Sequence, residues 1–132
     1  MTSVGASGLI FGWNLYEPAG LYYVAAIVSF DEQRAILRIA GDEDQTTSGR
    51  RRRPLSVALK ATRDVIVDLT ELRFADRSVM IDLACLAQRL RTHDRTLWLS
   101  GAQPHVRTLI EAVGLHRLPA VRLVGVPHPV GA

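Results

Sequence analysis

Two periodicities alternate along the middle of this chain. Residues 65–69 (Val-Ile-Val-Asp-Leu) and 96–100 (Thr-Leu-Trp-Leu-Ser) are short, mostly apolar runs with strand character. Between them Val79, Leu83, Leu86, Ala87 and Leu90 recur at helical spacing and fall on one stripe. A helix joining two strands returns the chain to its starting end, so the strands pair in parallel through a right-handed crossover. A sheet carrying helices is the only economical way to bury both patterns, and the class is α/β.

The flanking segments extend the pattern. Residues 22–30 and 35–40 form two strand-like runs separated by Asp31-Glu32-Gln33-Arg34, which reads as a hairpin. Pro54 suits the first turn of a helix carrying Leu55, Ala58 and Leu59. The continuous apolar run at 65–69 reads as a central strand covered on both faces. Asp76 is placed to cap the helix that follows. Pro104 opens a third helix with Val106, Leu109, Ile110 and Val113 on one side, and Gly114 suits a left-handed cap. A last strand is expected at 121–125. The order is β-β-α-β-α-β-α-β: a mostly parallel sheet of four to five strands, an N-terminal hairpin and three main helices. Residues 1–20 read as an arm, 21–126 as the domain and 127–132 as a proline-broken tail.

Several function classes are disfavoured. No apolar run reaches the roughly 20 residues of a membrane-spanning helix, and no basic-then-apolar leader is visible at residues 1–20. A cytoplasmic protein without a membrane association is the expectation. Cys85 is the single cysteine, so no internal disulfide forms, and no metal-ligand spacing, catalytic constellation or cofactor motif stands out around His93, His105, His116 or His128. Arg89 one turn after Cys85 favours a thiolate and Asp82 one turn before opposes it, which leaves a redox role without support. The net charge is +3, of which Arg50, Arg51, Arg52 and Arg53 supply four, leaving about −1 elsewhere. That block lacks interleaved aromatics and reads as a mobile, solvated loop; the alternative is a nucleotide- or nucleic-acid-binding site using it.

Residues 65–80 (Val-Ile-Val-Asp-Leu-Thr-Glu-Leu-Arg-Phe-Ala-Asp-Arg-Ser-Val-Met) resemble the signature of the STAS domain: hydrophobic strand, Asp-Leu, short turn, then Phe-x-Asp-Ser-Ser-Gly-Leu. Gly41-Asp42-Glu43-Asp44 is similar to the family's Gly-Glu-Leu-Asp, and residues 104–118 to its closing helix and Gly-Leu turn. The resemblance, to the anti-sigma factor antagonists in particular, implies a non-catalytic module that binds an anti-sigma factor or similar kinase-like regulator. It implies a partner surface at Asp44, Asp76, Arg77, Ser78, Val79 and Met80. In that family a serine directly after the aspartate accepts phosphate and breaks the complex; here that position is Arg77. Val79 stands where the family has glycine, adding a side chain where a partner backbone would approach.

Ser78 admits two readings: an acceptor whose phosphate pairs with a neighbouring arginine, or a first-turn residue bonding locally. Ser78, Asp82, Cys85 and Arg89 share the helix side away from the leucine stripe, a partner face or a solvated one. The apolar residues of the arm leave a homodimer open.

Overall fold

The computed structural model describes residues 27–125; the expected arm, the tail and the first part of the expected opening strand lie outside them. The hairpin forms from β1 (Ile27–Asp31) and β2 (Ile36–Glu43), antiparallel with Phe30 opposite Leu37. Asp31 builds its turn: one carboxylate oxygen accepts the Gln33 and Arg34 N–H groups, and the other accepts from the Arg34 side chain.

After β2 come a 3-10 turn (Gln45–Thr47), α1 (Ser48–Ala58), β3 (Val65–Asp68), β4 (Leu72–Ala75) and α2 (Arg77–Arg91). They are followed by β5 (Leu97–Ser100), α3 (Pro104–Val113), a second 3-10 turn (Leu115–Arg117) and β6 (Val121–Val124). The sheet order is β1-β2-β3-β5-β6, with all pairs after the hairpin parallel and β3 in the middle. The three expected helices are present, and α2 buries all five residues of its stripe. Gly114 closes α3 in the left-handed region at φ 78°.

Four sequence expectations are corrected. The sheet has a sixth strand, β4, which pairs in parallel with the far end of β2 beyond a register shift at Gly41/Asp42. The polar stretch that begins at Gly41 is therefore strand, turn and helix, and it contains no mobile arginine loop. Pro54 sits inside α1, whose first residue is Ser48, because the 3-10 turn hands the chain into the helix a turn and a half earlier. β3 is covered on one face: Val65 and Val67 are buried, while Ile66 between them is 38% exposed. All three helices place their buried apolar residues in one cluster with Leu37, Ile39, Val65, Val67, Leu97, Leu99 and Val121 from the sheet's inner face.

The loop after β5 approaches the loop after β3 closely. Gly101 has φ 78°, and a Cβ built there would lie 2.3 Å from the Thr70 hydroxyl oxygen. Gly101→Ala combines left-handed strain with overpacking and is expected to cost about 1–3 kcal/mol, read by urea denaturation.

Candidate functional site

The β2–α1 loop and the first turn of α2 meet at one end of the sheet because β4 runs beside the end of β2. Asp76 follows β4 directly and donates its N–H to the Glu43 carbonyl oxygen at 3.2 Å. Its side chain caps α2: one carboxylate oxygen accepts the Ser78 N–H at 2.9 Å and the Ser78 hydroxyl. The other carboxylate oxygen reaches the opposite loop and accepts the Gln45 N–H at 2.9 Å. Asp44 caps the 3-10 turn, accepting the Thr46 and Thr47 N–H groups at 2.8 and 3.2 Å, while the Thr47 hydroxyl accepts the Asp44 N–H in a capping box. Two loops separated by more than thirty positions in sequence thus form one hydrogen-bonded unit.

Arg51 fastens them from beneath. It is 1% exposed, and its guanidinium points one way to the loop and the other way to α2. Nη1 donates to a Glu43 carboxylate oxygen at 2.8 Å and to the Asp44 carbonyl at 3.0 Å. Nε donates to Asp82 at 2.7 Å, and Nη2 to the Ser78 hydroxyl at 3.0 Å. Glu43 is 0% exposed and Asp82 33% exposed, so most of this network is shielded from water. Burial opposes the Arg51 charge most strongly, but the hydrogen bonds and charges of Glu43 and Asp82 outweigh it and hold the guanidinium above its ordinary pKa.

Burial likewise acts to raise the Asp76 pKa. Hydrogen bonds from the Ser78 hydroxyl and from the N–H groups of Gln45, Ser78 and Val79 outweigh it and hold the carboxyl below 3.8. A depressed carboxyl pKa contributes stability that is present above the unfolded value and lost as pH falls through the folded value. Acid titration of unfolding is expected to show this loss below about pH 4. Asp76→Asn flattens that part of the profile.

The expected site residues separate into two groups. Asp44, Asp76 and Ser78 join through the network, and Arg77 is exposed at the helix start. Val79 and Met80 point into the core, so the valine's side chain leaves the surface free where an approaching backbone was expected to be hindered. The exposed apolar side chains flanking the turn in the chain are Phe74, 50% exposed, which is the motif's phenylalanine, and Ile81, 57% exposed, which lies one position past the motif. Within the arginine block only Arg51 is buried; Arg50, Arg52 and Arg53 are exposed on α1. With the helix beginning at Ser48 rather than Pro54, the Leu55/Ala58 stripe extends back one helical turn onto Arg51. On α2, Asp82 is turned to Arg51, while Cys85 and Arg89 are exposed.

Among the described residues no three His, Cys, Asp or Glu side chains gather as metal ligands, and no helix is long and apolar enough to cross a membrane.

The fold is shared with solved structures. An anti-sigma-factor antagonist (STAS) domain protein from Planctomyces limnophilus aligns with a TM-score of 0.60 at 15% identity, covering 76% of this chain and 90% of that one. The anti-sigma factor antagonist SpoIIAA in its unphosphorylated form aligns at 0.57 and 19% identity, covering 76% and 89%. The Bacillus cell fate determinant SpoIIAA in the phosphorylated form aligns at 0.54 and 20%, covering 76% and 92%. No curated protein matches. The family model of the STAS domain matches residues 26–124, three quarters of the chain and nearly all of its described part. This chain belongs to the STAS domain family.

Proposed function

We propose that this STAS domain is a protein-binding module that acts without chemistry of its own. It captures an anti-sigma factor or a similar kinase-like regulator, as an antagonist that frees a sigma factor, through the surface formed by the Asp44 loop and the Asp76 turn. The observation that carries this reading is the exposed Arg77 with the exposed Ile81 beside it in one groove, and the exposed Phe74 three positions before Arg77 in the chain. Large apolar groups with an arginine on a rigid, capped helix start have the chemistry of an interface centre. The similar structures include an antagonist in both unphosphorylated and phosphorylated forms, which supports the binding class.

The same geometry argues that the surface stays competent when a kinase is active. Arg77 occupies the acceptor position and has no hydroxyl. The Ser78 hydroxyl already donates to Asp76 and accepts from Arg51. A phosphate there would meet the carboxylates of Asp76 and Asp82 with one arginine between them. Titration calorimetry against purified candidate anti-sigma factors tests the assignment: a one-to-one complex supports it, and silence from every cognate candidate overturns it.

A further inference from the structure

We infer that Arg51 is a positioning residue for the proposed partner surface: its guanidinium couples the Asp44 loop to the first turns of α2, so that the two move as one element. The inference rests on the reading of that surface as the binding site, but its own content is mechanical. The fork is divided between two bodies. Nη1 holds Glu43, the Asp44 carbonyl and, at 3.3 Å, the Thr47 hydroxyl, while Nε and Nη2 hold Asp82 and Ser78 on α2. A planar guanidinium with donors in fixed directions transmits a displacement of one side to the other, and a lysine ammonium on a flexible stem cannot reproduce that division.

The Thr47 hydroxyl strengthens the case. It donates toward a Glu43 carboxylate oxygen at 3.0 Å and also closes the capping box of the loop, so the loop's fold is tied directly to the buried charge network. If Arg51 only filled space, loss of its α2 anchor would disturb α2 alone. If it positions, loss of that anchor loosens the loop on the far side.

The test is native-state amide exchange on the full chain, read at Thr46 and Thr47. Asp82→Ala removes the carboxylate on the α2 side of the fork and lies at a partly exposed position. It is expected to speed exchange at both loop amides about tenfold, equivalent to about 1.4 kcal/mol of local opening. Arg51→Lys, which keeps the buried charge, gives the same acceleration, and the double variant gives no more than either alone. Faster exchange confined to α2, or effects of the two substitutions that multiply, overturns the inference. Partner association rates measured on the same variants fall in parallel with loop opening. Should no regulator bind the parent protein, the exchange result still decides the coupling, and the binding assignment alone is lost.

Discussion

Arg51→Ala is expected to lower the unfolding free energy by about 3–5 kcal/mol, the largest effect of any substitution in the arginine block. The cause is what the variant leaves behind. Glu43 is fully buried and accepts from Arg51 at 2.8 Å; without the guanidinium its carboxyl group is left in the interior with one hydroxyl donor, Thr47. Asp82 loses its ion pair as well, and a void replaces a large buried side chain. A domain of this size commonly has only 5–15 kcal/mol in total, so a large part of its stability is at stake. Arg50→Ala and Arg52→Ala remove exposed charges and are expected to stay within about 0.5 kcal/mol. Urea denaturation of the three variants separates the buried arginine from its neighbours. Equal small effects at all three positions contradict the network as described.

The second large effect is on binding rather than on stability. Phe74 and Ile81 are half or more exposed, so truncating either to alanine removes little from the core. At a partner interface each is a candidate anchor, for which truncation costs on the order of 2 kcal/mol. The Phe74→Ala, Ile81→Ala double variant is expected to bind the regulator at least about a hundredfold more weakly, equivalent to about 2.8 kcal/mol. Its unfolding midpoint stays close to that of the parent. Cys85→Ala on the same helix serves as a comparison, being exposed about one turn beyond Ile81. Calorimetry on the folded variants reads the difference; unchanged affinity in the double variant places the interface elsewhere.

The parts of the fold visible in the sequence are those in which one period repeats. The stripe from Val79 to Leu90 continues for three turns, and Asp76 and Gly114 mark helix ends through local geometry that requires no distant partner. β4 lacks such a signal. Only Leu72 and Ala75 of its four residues are buried, so no alternation appears, and it is a strand because the end of β2 lies alongside it. That extension of β2 passes through a register shift at Gly41, whose φ of 83° suits glycine, and it carries Asp42 and Glu43, residue types that carry no strand signal. Glu43 and Arg51 were concealed for a related reason. Each lies in a run of like residues, and which member of such a run is buried depends on element boundaries that composition does not set.

The candidate site was legible in the same uneven way. Asp44, Asp76 and Ser78 were found through the motif, and the structure brings them together. The motif also marked Val79 and Met80, which face the core because they begin the buried stripe of α2. Phe74 is the motif's own phenylalanine, but neither its exposure nor that of Ile81 has a signature until the neighbours are known. The bond from Gln45 to Asp76, which makes two motifs one surface, joins positions that no local pattern relates.

The central claim is that this surface binds its regulator and is not released by phosphorylation at the Asp76 turn. One measurement addresses it most directly: the complex of the protein with its cognate kinase-like regulator is held in ATP, followed by native mass spectrometry. The account predicts an intact complex with no added phosphate on residues 76–80. Phosphate on Ser78 accompanied by dissociation of the complex would contradict it.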